Sequence, residues 1–317
     1  MRAIQYRAYG GPEVLRLVHL QEPTPGKNQV AIRVASASVN PVDWKRMSGA
    51  FRLIVPVSFP MVPGHDVAGN VISVGEGATN FAVGDRVHAR LADKYCGAFA
   101  DVTVADVDIT SKMPPGMSFA DAAALPLAGM TALQGLVLGG KLTFQENLSR
   151  RVLIIGGSGG VGHFAVQIAR AMGTHVVAVT SAKNSELVRS LGAHETLDYN
   201  EPKAFDGQAP FDVIYDCVTG DPGKYMAMLT PTGRYLSCMP GAAVFAYAAF
   251  NFMRSKHVGA VFLKANAKDL DVLNGLYERG QLRVVIDAHF PLEQTKQAIE
   301  QSMRGRAVGK IVIDVQG

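Results

Sequence analysis

The residues best placed to do chemistry lie in the stretch IIGGSGGVGHFAVQIA, Ile154 to Ala169. Two apolar residues run into a glycine cluster, and the glycines run into an apolar-periodic segment. Gly157, Gly159 and Gly162 satisfy G-x-G-x-x-G, with Ser158, Gly160 and Val161 between them. A loop that follows a strand and opens a helix in this way holds a nucleotide pyrophosphate on backbone N–H groups. The first glycine is expected to make the tight turn, the second to let the backbone approach the phosphates, and the third to let helix and strand pack closely. A strand–helix turn that uses glycine for shape alone is the competing reading. Strand, loop, helix and second strand in register favour the nucleotide.

The second strand, HVVAVT, ends at Thr180. A carboxylate there would bond the ribose hydroxyls of NADH. This chain has TSAKN, Thr180 to Asn184, with no acid before Glu186. An acid would repel a 2′-phosphate, whereas the Thr180 and Ser181 hydroxyls and the Lys183 ammonium would bind one. The cofactor is therefore read as NADPH. The alternative is that Lys183 is an ordinary surface lysine and the preference loose.

The elements that must position this loop form an alternating series from Arg151 onward. RVLII is a strand. VGHFAVQIARAMG is a helix with Val161, Phe164, Ala165, Ile168 and Met172 on one face. HVVAVT, ETLDY, FDVIYDCV and RYLSCM read as strands, SELVRSLG and YMAMLTPTG as helices, and HVGAVFL (His257 to Leu263) as a β-rich run at the sheet edge. Such alternation implies a doubly wound parallel sheet, the Rossmann arrangement, in an α/β chain. AKDLDVLNGLYERG and LEQTKQAIEQSMRGR are helices, and GKIVIDV a closing strand. The first third differs. VAIRVASASV, DVAGNVISVG, GDRVHARL and GAFADVTVADVDITSKMP are short strands punctuated by Gly, Asp and Pro, as in a barrel or sandwich. SFADAAALPLAGMTALQGLVLGG reads as helical, with Ser118 as N-cap and Asp121 three positions on.

Bulk properties bound the function. A chain of 317 residues suits two domains, and 48% hydrophobic content supports large cores. The formal net charge of +4 is mild and the basic residues are scattered, so no nucleic-acid partner is expected. Cys96, Cys217 and Cys238 show no clustered spacing, which fits a reducing, cytoplasmic setting. The start, MRAIQYRAYGG, lacks the apolar region of a signal peptide. The run GAAVFAYAAFNFM, Gly241 to Met253, falls short of the roughly 20 residues that span a bilayer. A buried or pocket-lining helix is expected there, with a peripheral membrane contact as the alternative.

YRAYGGPEVLRL (Tyr6 to Leu17), ASVNPVDWK (Ala37 to Lys45), PGHDVAGNVISVG (Pro63 to Gly75) and VGDRV (Val83 to Val87) join GMTAL (Gly129 to Leu133), GGSGGVG, LGAHETLDY and GKIVI. Together they resemble the medium-chain dehydrogenase/reductase superfamily, in its zinc-free quinone oxidoreductase, or zeta-crystallin-like, branch. The resemblance implies a GroES-like β-rich catalytic domain at 1–125, completed by 264–317, and a Rossmann NADPH-binding domain at 126–263. It further implies Asn40 and Thr131 near the nicotinamide, and Gly159, Gly160 and Val161 on the pyrophosphate. Ser181, Lys183 and Tyr199 would surround the 2′-phosphate and adenosine, and Phe262 and Leu263 would lie beside the carboxamide. Lys310 would reach the cofactor from the closing segment. A homodimer joined at the sheet edge is implied as well, in line with an exposed apolar edge inviting its symmetry mate.

Zinc-dependent members of the superfamily carry a cysteine where Asn40 stands, a histidine in GHE, and a second cysteine. Here only the histidine is kept, as His65 in GHD, and a catalytic zinc needs three protein ligands. No metal is expected, and His65 is read as a hydrogen-bonded residue. Without zinc, an electron-poor acceptor is required: a quinone or an α,β-unsaturated carbonyl that takes hydride from the nicotinamide. Charge developing on the acceptor oxygen calls for donors, for which the Asn40 amide and Lys45 ammonium are candidates. Asp43 either orients Asn40 or Lys45 or is a turn residue. Phe51 stands where some enoyl reductases of the superfamily carry a tyrosine proton donor. A zinc-type alcohol dehydrogenase and a non-enzymatic NADPH-binding structural or sensor protein are the alternatives.

Overall fold

The computed structural model describes the chain apart from residues 54, 94, 95, 145–148, 254 and 317 and the side chain of residue 252. It divides into two compact units. The first takes in Met1–Ala128, Ala265–Gly275 and Val284–Gly317; the second, Gly129–Lys264 and Leu276–Arg283. The first boundary thus lies near the expected one, but Leu276–Arg283, expected with the first domain, packs with the second.

In the first unit the opening strands are β1 (Arg2–Gln5), β2 (Arg16–His19), β3 (Gln29–Val39), β4 (Asp66–Val74), β5 (Arg86–Arg90), β6 (Val102–Asp106) and β7 (Thr110–Lys112). The eleven-residue β3 is the centre: it pairs antiparallel with β4 on one flank and, on the other, with β6 over Gln29–Arg33 and with the closing strand Lys310–Asp314 over Ser36–Val39. Its residues are buried on both faces, because Val30, Ile32 and Val34 face one core of Val67, Val87, Phe99, Ile311 and Ile313 while small residues fill the other side. Helix α1 (Pro41–Met47) leaves β3 at once. Pro41 suits the first helical position, and Asn40 and Asp43 form a reciprocal capping box. Helix α2 (Phe119–Ala124) starts as expected, with Ser118 Oγ accepting from the Asp121 N–H at 3.0 Å.

The expected long helical segment is broken. After α2 comes α3 (Pro126–Gln134) and then a π turn, Gly135–Gly139. Pro126 has no N–H to continue α2. Gly135 leaves room for the Tyr215 ring, which a Cβ would meet at 2.5 Å.

In the second unit the strands are β8 (Arg151–Ile155), β9 (His175–Thr180), β10 (Glu195–Asp198), β11 (Phe211–Asp216), β12 (Leu229–Ser237) and β13 (His257–Ala260). All pair in parallel, in the order β10-β9-β8-β11-β12-β13. The order reverses beside β8, and ligands of such sheets bind outside the carboxyl ends of the strands at that point. Helix α4 (Gly162–Ala171) follows β8. It is buried from Gly162 to Ala169, not along one face alone, and the Gln167 side chain bonds the Arg283 backbone in both directions at 2.9 and 2.8 Å. The helix expected over YMAMLTPTG is a short 3-10 turn, Met226–Met228, followed by strand from Leu229. Pro231 and Gly233 are poor in helices, and the β-branched Thr230 and Thr232 suit a strand.

Two apolar runs also differ from expectation. HVGAVFL is strand only over His257–Ala260. Within GAAVFAYAAFNFM, helix Ala242–Ala248 buries Val244 fully, whereas Phe245, Phe250 and Met253 are exposed. No helix among the described residues is long and apolar enough to cross a membrane.

Candidate functional site

In the first unit, the end of β3 and the closing strand bring together a buried polar cluster. Asn40 is 1% exposed. Its backbone N–H donates to Asp43 Oδ2 at 2.7 Å, and its side-chain Nδ2 donates to Asp66 Oδ2 at 2.8 Å and to the Ser38 carbonyl at 3.4 Å. Lys310, only 3% exposed, donates to Asn40 Oδ1 at 2.5 Å and to the Val39 carbonyl at 3.0 Å. Every polar atom of the Asn40 amide is thus spoken for. The expectation that this amide supplies donors to an acceptor oxygen gives way to a different role: it bridges a buried ammonium and a buried carboxylate.

Asp43 has its own part. Its Oδ1 lies 2.5 Å from His65 Nδ1, so one carboxylate caps α1, fixes Asn40 and orients His65. His65 Nε2 faces Asp93 Oδ1 at 3.3 Å and the Arg46 guanidinium at 3.2 Å. Burial pulls the imidazolium down, but Asp43 and Asp93 outweigh it and hold His65 above the usual histidine range. Burial raises the Asp66 carboxyl against the pull of Lys310 and Asn40, and burial lowers the Lys310 ammonium against Asp66 and Asp43. Lys45 is half-buried, its ammonium 5.5 Å from the centroid of the Trp44 ring.

The second unit holds the nucleotide-loop candidates. Gly156, not Gly157, makes the left-handed turn, with φ +79°. A Cβ on Gly157 would sit 2.9 Å from that of Ala178 on β9, so this glycine serves strand packing. A Cβ on Gly162 would lie 1.9 Å from the Gly156 carbonyl, which makes it the close-contact glycine expected. Gly159 is different: its Cβ would touch only the Gly156 carbonyl, at 3.3 Å, so its smallness leaves the loop surface open to a ligand. Among the described residues, the N–H groups of Gly160, Val161 and Gly162 have no acceptor, and Val161 caps α4 without a side-chain bond. These features fit a pyrophosphate.

At the end of β9, Thr180 is buried and its hydroxyl bonds Ser158 Oγ at 2.9 Å, with Asn184 reaching the same oxygen at 3.2 Å. Thr180 therefore braces the glycine loop through Ser158. Ser181 is half-buried, and Lys183 and Tyr199 are exposed. Thr131 is buried, its carbonyl held by the Tyr215 hydroxyl at 2.8 Å. Phe262 is 71% exposed and stacks at 6.4 Å on Phe245; Leu263 is half-buried.

Comparison with known proteins accounts for this layout. Residues 26–126 match the model of the alcohol dehydrogenase GroES-like domain, and residues 191–313 that of the zinc-binding dehydrogenases. A chloroplast envelope quinone oxidoreductase homolog of Arabidopsis thaliana is 38% identical over 99% of this chain and 98% of its own length. The chain belongs to the medium-chain dehydrogenase/reductase superfamily, in its quinone oxidoreductase branch. An NADPH-dependent alkenal/one oxidoreductase of the same plant is 32% identical over 99% of this chain and 79% of its own. The quinone oxidoreductase structure from Coxiella burnetii superposes with a TM-score of 0.90 at 32% identity, covering 100% of this chain and 99% of that one.

The zinc in one family description does not fit the residues here. His65 Nε2 and Cys96 Sγ converge on the Arg46 guanidinium, at 3.2 and 3.6 Å, where a fixed positive charge opposes a dication. Asn40 offers no thiolate. Among the described residues no group of three or more His, Cys, Asp or Glu is arranged to hold a metal. Sequence reading missed Arg46, Asp66 and Asp93. GHD shows His65 and Asp66 side by side, but that Arg46 and Asp93 meet them follows only from the fold.

Proposed function

We propose that the chain is an NADPH-dependent reductase of quinones or α,β-unsaturated carbonyls that works without zinc. The observation that carries this is the glycine loop: three unclaimed N–H groups at the start of α4, an open surface at Gly159, and no acid at the end of β9. The names of the relatives support it, as does a mycobacterial relative of known structure in complex with NADPH, with a TM-score of 0.83 at 26% identity. Bound NADPH supplies hydride from its nicotinamide. The residues of the chain do the rest. Gly159, Gly160, Val161 and Gly162 bind the pyrophosphate, with Gly157, Ser158 and Thr180 shaping the loop behind them. Ser181 and Lys183 take the 2′-phosphate, and Tyr199 flanks the adenosine. Thr131, Phe262 and Leu263 hold the nicotinamide.

Asn40, Asp43 and Lys310 position the β3–α1 turn that presents Lys45. With both Asn40 amide hydrogens engaged and a phenyl ring at Phe51, the proton that completes enone reduction comes from water. A homodimer in a reducing, cytoplasmic setting is part of the same proposal.

Steady-state oxidation of NADPH and NADH with a panel of quinones, alkenals and cyclic enones tests the reading. Wild type is expected to prefer NADPH, and Lys183→Glu to lose that preference. Oxidation of simple alcohols with no turnover of any quinone or enone would overturn it.

A further inference from the structure

Two thiols that the mechanism does not use meet at the carboxyl ends of β11 and β12. The register of these parallel strands runs to Asp216↔Ser237, and the next pair in step is Cys217 and Cys238. Both residues lie just past the strand ends, where one more bond, from the Cys238 N–H to the Asp216 carbonyl at 3.2 Å, still ties the two chains. The Cys238 thiol holds the pKa of the Cys217 thiol up, and burial together with both thiols holds up that of the Tyr215 hydroxyl. Neighbouring strands hold partner Cα atoms about 4.8 Å apart, inside the span of about 4.4–6.8 Å that a disulfide bridges.

The pair also touches the nucleotide loop. The Cys217 N–H donates to Ile155 at the end of β8, at 3.1 Å. A Cβ on Gly156 would lie 3.9 Å from Cys217 Cβ and 2.4 Å from Val218 Cγ2. The turn 217–220 is held by Asp216, which accepts from the N–H groups of Val218, Thr219 and Gly220 at 2.8, 2.8 and 3.0 Å and from the Thr219 hydroxyl. A bond that draws Cys217 toward β12 therefore moves a stiff turn that packs on Gly156.

We propose that Cys217 and Cys238 are an oxidation site that closes to an intrachain disulfide under a peroxide, and that closure loosens the glycine loop. The chemistry balances in two steps. One thiol gives up its proton, its thiolate attacks the peroxide and breaks the O–O bond, and the sulfenic acid forms with hydroxide, which takes that proton and leaves as water. The second thiol then attacks that sulfur, forming the S–S bond and releasing a second water. Two thiols are oxidised and one peroxide is reduced. A dithiol reductant reverses the reaction by exchange. The neighbouring Cys238 thiol, burial and nearby Asp216 hold the Cys217 thiol above the usual cysteine range, so closure is slow at neutral pH and speeds up as pH rises.

The link to nucleotide rests on the function proposed above; the disulfide itself does not. The test treats the full chain with hydrogen peroxide, alkylates it, digests it without reductant and measures peptide masses. The expected product joins the Cys217 and Cys238 peptides, two hydrogens lighter than their sum, and disappears on reduction; Cys217→Ser and Cys238→Ser each abolish it. Hydrogen exchange of residues 156–162 without nucleotide should rise on oxidation. NADPH affinity should fall about tenfold, within the usual range of coupling between sites, and recover with reductant. Recovery of the two cysteines only as separate peptides would overturn the site. A cross-link with unchanged loop exchange would overturn the coupling. Cross-linking and a looser loop on oxidation, with no NADPH binding by the reduced protein, would uphold this inference and refute the nucleotide reading instead.

Discussion

Asn40 shows how much of a residue's role depends on neighbours far away in sequence. Its position after β3 and before Pro41 was legible, whereas its pairing with Asp43 three residues on was one of the readings left open. Its engagement with Asp66 and Lys310 was not, because Lys310 arrives from the other end of the chain, 270 positions away. That arrangement predicts a measurable coupling. Lys310→Met removes the cation whose charge acts on the buried Asp66 carboxyl and should lower stability to urea by about 3 kcal/mol. Asp66→Asn in the same chain should recover part of the loss. Additive single and double variants would refute the coupling.

At the scale of elements, the strand–loop–helix of the nucleotide motif was readable because its spacing is local. The division of labour among its glycines was not. The left-handed turn belongs to Gly156, which the motif omits and where a Cβ would also meet Val218 from the turn after β11. Two substitutions separate packing from binding. Gly162→Ala drives a methyl into the Gly156 carbonyl and should cost about 3 kcal/mol of stability. Gly159→Ala should change stability by less than about 1 kcal/mol, yet weaken NADPH about tenfold, as read by thermal unfolding and by titration. Equal loss of stability in both would contradict the assignment.

The β5–α2 contact offers a pH prediction. His88 is fully buried, its Nδ1 3.0 Å from the Ala122 carbonyl, and burial pushes its pKa down to about 4. An unfolded histidine titrates near 6.5, so the unfolded chain takes up the proton first. The stability held by neutral His88 is thus complete above about pH 6.5 and lost as pH falls toward 4. Between pH 7 and pH 5 wild type should lose about 2 kcal/mol more than His88→Leu. Parallel pH profiles would sink the idea.

For the whole molecule, the two-part plan was legible from the change between closely punctuated strands and alternating strands and helices. The segments that misled were those where local pattern and tertiary demand conflict. The apolar Gly241–Met253 run reads as a buried helix, yet only Val244 of its helix is fully covered. The exposed β13 edge is similar. It reads as an open strand, but the Asn251 side chain already bonds both backbone groups of Val258, at 2.7 and 2.9 Å. That blunts simple strand pairing at this residue. The proposed homodimer must then rest on side chains near the edge, where Phe250, Met253 and Phe262 are exposed apolar groups in the same unit. Met253 is 70% exposed and has no part in the proposed chemistry, so it is the position to change. Light scattering at micromolar concentration should give twice the chain mass for wild type. Met253→Asp should shift it toward the monomer, because an unpaired carboxylate in an apolar interface carries a desolvation cost. A monomeric wild type would refute the dimer, and a dimer indifferent to the aspartate would move its interface elsewhere on the chain.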